Sequence, residues 1–178
     1  QQILLNQQNK KITDLDFDGT LSENQGNIKY LQAKTQEERD AVLNKYFRNE
    51  EARMADIQSS PLTSFGAQLL AAINNKTIDP NYLGIMTASD ASPKLISWIN
   101  KTFKIPTQNI KGGIRGIGGG SILQAKKMLA EKFANKGTGG SAIVDDLALA
   151  HFNGYIPNFR SEEHTSELQS RFGISYAV

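Results

Sequence analysis

Ile12-Thr13-Asp14-Leu15-Asp16-Phe17-Asp18-Gly19-Thr20-Leu21 is the stretch on which the reading of this chain turns. Its apolar positions, Ile12 and Leu15, fit a short buried strand over Ile12–Phe17. Two carboxylates follow, Asp16 and Asp18, with one residue between them. At a strand end, before a turn, both can face one small site. One carboxylate can attack a phosphorus atom while the other handles a proton. Gly19 lets the chain turn away where a side chain would clash. An acidic pair before a Gly turn also occurs in solvated loops, so the pair needs its context.

Working outward, the rest of the chain alternates strand and helix. A polar helix is expected over roughly Thr35–Ile57, with Leu43, Phe47, Met54 and Ile57 as its sparse apolar stripe. Ser60-Pro61-Leu62-Thr63 reads as a turn and helix start that "FGAQLLAAI" continues. A strand ending at Thr87, a helix from about Ser92 to Phe103 and a short segment near Ile110 come next. A helix from about Ser121 to Phe133 and a strand ending at Asp145 complete the pattern. Strands separated by helices predict an α/β fold, a Rossmann-like three-layer sandwich with a mostly parallel sheet. Sites of such sheets lie at the carboxyl ends of the strands, where Asp16, Thr87 and Asp146 fall.

Composition narrows the chemistry. The chain has 178 residues and a net charge of +2, too mild to imply nucleic-acid binding. It has no cysteine, which excludes disulfides, a thiolate nucleophile and a cysteine zinc site. Two histidines make a poor metal cluster. No apolar run approaches the ~18 residues of a membrane span. No secretory h-region is seen, so a cytoplasmic location is the expectation by default. Gly112–Gly120 lacks the ending of a P-loop and reads as a flexible loop. The charged segment Gln36–Arg53 reads as a solvated helix face, one that could cover one side of the site.

The string "DLDFDGTL" resembles motif I of the haloacid dehalogenase (HAD) superfamily, an apolar strand followed by DxDGT. Three further pieces follow in that family's order. "YLGIMTAS", Tyr82 to Ser89, resembles motif II, with Thr87 as its hydroxyl; taken alone it reads sooner as an ordinary buried strand with a capping Thr. "SAIVDD", Ser141 to Asp146, resembles motif IV. Adjacent carboxylates at a strand end favour a nearby cation, although a helix N-cap with an acidic first turn also suits "DDLALA". The family's lysine matches Lys126, 19 residues before Asp145. Lys127 lies on another helical face, and Lys111 is a third choice. The resemblance covers about residues 11–153, the domain being expected over 1–159 with 35–57 as a helical insert or small cap.

The resemblance implies a Mg²⁺-dependent phosphatase working through an aspartyl phosphate. Asp16 would be the nucleophile and Asp18 the acid and base. Thr87 and Lys126 would neutralise phosphoryl oxygens. Gly19, Thr20, Thr87, Ala88 and Lys126 would bind the substrate phosphate. Mg²⁺ would be held by Asp16, Asp18 through its backbone carbonyl, and Asp146, with Asp145 orienting Lys126 or a metal water. The intervals between motifs are too short for a large cap. That implies an open site, suited to a macromolecular phosphate or to a partner subunit acting as lid, while the substrate class, a phosphorylated small molecule or macromolecule, stays open. Small phage-encoded HAD proteins are similar in several segments, and their motif II strand often ends Thr-Ala-Arg. Here Ser89 takes the Arg position. Two other functions fit the motif: a non-catalytic HAD-like binding or structural protein, and a nucleic-acid end-processing phosphatase needing a basic groove not evident here.

The C-terminal string Arg160–Val178, "RSEEHTSELQSRFGISYAV", resembles a translated sequencing adapter. It is set aside as a non-native tail, with Glu162, Glu163 and His164 not read as ligands. On this reading the natural chain is truncated near Phe159.

Overall fold

The computed structural model of the chain describes residues 2–113 and 140–144. Four short strands build one parallel sheet in the order β3-β2-β1-β4. They are β1 (Ile12–Leu15), β2 (Leu83–Met86), β3 (Ile110–Lys111) and β4 (Gly140–Val144). β1 lies inside the sheet: Thr13 pairs with Leu83 on one side and Leu15 with Val144 on the other. Parallel neighbours need crossovers, and here helices supply them. Between β1 and β2 run α2 (Gln25–Gln32), α3 (Gln36–Tyr46), α4 (Glu50–Ser59) and α5 (Ser64–Asn74); between β2 and β3 runs α6 (Pro93–Phe103). α1 (Gln2–Asn9) precedes β1, and Asn6 Nδ2 donates to Thr13 Oγ1 at 2.9 Å. The α/β class and the parallel sheet agree with the sequence reading.

Local chemistry sets the boundaries. Ser92 caps α6, accepting from the Leu95 amide at 3.2 Å, and Pro93 occupies the first turn. Leu95, Ile99 and Phe103, spaced four apart, are fully buried and fix the inner face of that helix. Thr63 caps α5 through the Gly66 amide at 2.8 Å. The core runs through Leu15, Phe17, Leu21, Leu69, Ile85 and Ile99, and Trp98 sits edge-on to Phe17 at 5.8 Å.

The structure differs from the sequence reading in four places, the first being α1, a helix that reading did not expect. β1 ends at Leu15 rather than Phe17, because the Phe17 carbonyl turns to accept the amides of Leu21 at 2.9 Å and Ser22 at 3.2 Å. The single helix expected over 35–57 is two. Phe47 closes α3, and Asn49 opens α4 by accepting from the Ala52 amide at 3.0 Å. A further helix, α2, precedes them. The helix expected over 121–133, the loop residues 114–120 and the tail from Arg160 lie outside the described residues. Among the described residues no helix is long and apolar enough to cross a membrane.

One packing detail bears on the site above it. Asp14 is fully buried within β1, and Lys111 Nζ reaches its Oδ1 at 2.9 Å from β3. β2 stands between those strands, and Gly84 is the residue paired with Asp14. A Cβ on Gly84 would strike the Asp14 carboxylate and come within 2.9 Å of the Asn109 carbonyl. The glycine thus leaves the gap that the ion pair spans. Replacing a strand glycine ordinarily helps a strand. Gly84→Ala is expected to do the opposite, costing about 1–3 kcal/mol through overpacking. A thermal melt checks the sign, and an unchanged or higher midpoint would refute the account.

Candidate active site

Because the strands are parallel, their carboxyl ends open on one edge of the sheet, and the candidate residues leave from there. Asp16 follows β1 directly and is only 5% exposed. Thr20 Oγ1 donates to its Oδ2 at 3.4 Å. Between them Gly19 adopts φ 79°, a left-handed conformation open to glycine at little cost. The turn is tied down from α5's entry: Thr63 Oγ1 donates to the Thr20 carbonyl at 2.6 Å, and the Thr63 amide to the Leu21 carbonyl at 2.9 Å.

Asp18 is the hub. Its Oδ1 accepts from Asn24 Nδ2 at 2.8 Å and from Arg53 Nη1 at 2.5 Å. Its Oδ2 accepts from Arg53 Nη2 at 2.9 Å and from Thr87 Oγ1 at 3.2 Å. The Thr87 hydroxyl also lies 3.2 Å from Ser89 Oγ. Strand pairing therefore brings together residues far apart in sequence, Asp16 and Asp18 after β1 and Thr87 after β2. Ala88 packs against the core beside them. Gly112 and Gly113, expected as the start of a flexible loop, are held close to this edge. The Gly113 amide donates to the Ser89 carbonyl at 2.7 Å.

Arg53 corrects the reading of Gln36–Arg53 as a solvated face. Most of α3 is exposed, but Arg53 on α4 is only 3% exposed. Besides its bidentate grip on Asp18, its Nη2 donates to Ser89 Oγ at 2.9 Å. Its guanidinium lies 4.7 Å from the Phe47 ring centroid and 5.9 Å from that of Phe17. A guanidinium thus stands over Ser89 even though position 89 itself is not Arg. The signal was available: Arg53 lies one turn before Ile57 on the buried stripe of α4. Asn24, fully buried, is the second residue that the sequence reading passed over.

Three helices, α2, α3 and α4, lie between the β1 turn and α5, and the last of them carries Arg53. Asp56, three residues along α4, clips it to α2. Its two carboxylate oxygens accept the amides of Gln25 and Gly26, each at 2.9 Å, at the positive end of α2.

Lys126, Asp145 and Asp146 lie outside the described residues. β4 nevertheless ends at Val144, paired with Leu15 just before Asp16. Among the described residues no group of three or more His, Cys, Asp or Glu side chains is gathered to hold a metal. The donors present at Asp16 and Asp18 are hard oxygens, a chemistry that fits Mg²⁺, which commonly takes one or two carboxylates and leaves other positions to water and phosphate.

Comparison with protein-family models, curated proteins and solved structures finds no match for this chain. The functional reading therefore rests on the residues and their geometry.

Proposed function

We propose that the chain is a phosphatase of the HAD type, acting on a phosphomonoester through an aspartyl phosphate. The observation that carries this reading is the meeting of the DxDGT turn with Thr87 at the carboxyl edge of a parallel sheet, closed by the Thr87–Asp18 hydrogen bond. A buried carboxylate, a second carboxylate and a hydroxyl donor then leave the same edge of the sheet.

In this reading Asp16 attacks phosphorus, the ester P–O bond breaks, and the leaving oxygen takes a proton from Asp18. Asp18 next takes a proton from water as that water attacks the phosphoryl-aspartate, which releases phosphate and restores Asp16. Thr20 orients the Asp16 carboxylate through its hydroxyl. Thr87 and Lys126 supply positive or hydrogen-bonding character to the phosphoryl oxygens. Mg²⁺, held by Asp16, the Asp18 carbonyl and Asp146, would neutralise phosphoryl charge. Asp145 is assigned to orienting Lys126 or a metal-bound water.

The hydrogen bonding of Asp18 favours one other reading. Its four close donors would equally suit a non-catalytic HAD-like domain in which the carboxylate pins α4 to the sheet. Turnover separates the two. The full chain is expected to hydrolyse a generic aryl phosphate when Mg²⁺ is supplied and to stop when it is chelated. Mg²⁺ binding with no turnover across a broad phosphate panel would favour the non-catalytic domain.

A further inference from the structure

We propose that Arg53 is a substrate-exchanged latch: its guanidinium grips Asp18 in the resting protein and transfers to the terminal phosphoryl group of the incoming ligand. This rests on the reading of the site as a phosphomonoester site, and it names a ligand-binding residue outside the four motifs.

The acceptor capacity of a carboxylate is limited. Asp18 has about four lone-pair positions, and four donors approach it: Asn24, Thr87 and two guanidinium N–H groups. A carboxylate so occupied has no position left for a leaving group or a water. At least one donor must depart before Asp18 can face the ligand. Asn24 and Thr87 belong to the same turn and strand edge as the site. Arg53 alone comes from a separate helix, and it holds two of the four positions.

Three features fit Arg53 to a phosphoryl group. Its planar fork matches two oxygens of a phosphate as well as two of a carboxylate. Its Nε is buried and has no hydrogen-bond partner, so the present pairing leaves one of its donors unused. A tetrahedral group carrying three terminal oxygens can engage that donor where a planar carboxylate has not. Phe17 and Phe47 flank the guanidinium and keep water from competing for it. Ser89, within 2.9 Å of Nη2, can stay bonded through the exchange.

A latch of this kind makes Asp18 and the ligand rivals for one cation, and rivalry can be measured without turnover. Inorganic phosphate binding to the full chain is followed by calorimetry, with Mg²⁺ present throughout. Asp18→Asn removes the charged rival and is expected to tighten phosphate binding about tenfold, the scale of one charge-assisted hydrogen bond. Adding Arg53→Met to Asp18→Asn should abolish that gain. This double variant buries no unpaired charge, so it is expected to fold, and a thermal melt verifies it.

Equal phosphate affinity in Asp18→Asn and in the double variant would overturn the latch, leaving Arg53 as a pin between α4 and the sheet. So would an Asp18→Asn variant that binds phosphate no tighter than the wild type, or no phosphate binding in any variant. Aryl phosphate turnover by the wild type is scored separately. Turnover without the affinity pattern sinks the latch and spares the phosphatase; the affinity pattern without turnover keeps an anion-exchanging Arg53 and sinks the phosphatase.

Discussion

Asp16→Asn is expected to lower aryl phosphate turnover at least about a thousandfold, because an amide cannot form the acyl phosphate on which the two-step route depends. The substitution is nearly isosteric and keeps an oxygen that can accept from Thr20 Oγ1, so the fold should tolerate it. Unchanged melting with lost turnover is the combined signature. Asp18→Asn should be nearly as damaging to turnover while tightening phosphate binding. Substantial residual hydrolysis by Asp16→Asn would remove this residue from the nucleophile's role and the aspartyl phosphate with it.

The second large effect lies beneath the site. Lys111→Met is expected to cost about 3 kcal/mol, because Asp14 is fully buried and would lose the ammonium that compensates its charge. Chemical denaturation gives the value directly. Adding Asp14→Asn to Lys111→Met should recover part of the loss, since the buried carboxylate whose ammonium was removed is then neutral. A change within about 0.5 kcal/mol for Lys111→Met, the range of ordinary surface substitutions, would mean that Asp14 is compensated by other groups.

Much of the strand framework could be read from the sequence, for physical reasons. Short apolar runs ending in a hydroxyl, an acid pair or a Gly turn are local signals, and they placed β1, β2 and β4 within a residue or two. The caps Ser92 and Thr63 were equally local. What escaped depends on tertiary contact. Arg53 belongs to a polar segment, and composition alone assigns such a segment to solvent. Only its place on the stripe with Ile57 argues for burial, and only the fold brings it to Asp18. Lys111 was weighed as a phosphate lysine. Its pairing with Asp14 depends on the order β3-β2-β1 and on the open face at Gly84, neither of which a single sequence states. α2 was missed although Asn24 stands at its N-cap position, because its first turn carries a glycine, and in the fold the Asn24 side chain turns to Asp18. Its start is satisfied instead by Asp56, 30 residues from Gly26.

That same Asp56 bears on how fast Arg53 can let go. Residues 53 and 56 sit one turn apart on α4, one reaching for Asp18 and the other bonded to two amides of α2. Sliding or tilting α4 to withdraw Arg53 would strain both attachments at once. Rotation about the arginine's own side-chain bonds disturbs only one. The easier release is thus a rotamer change that leaves α4 in place, in contrast to the opening of a lid. A protein built this way would have the pace of its cycle set by chemistry or product departure, with helix motion contributing little to the clock.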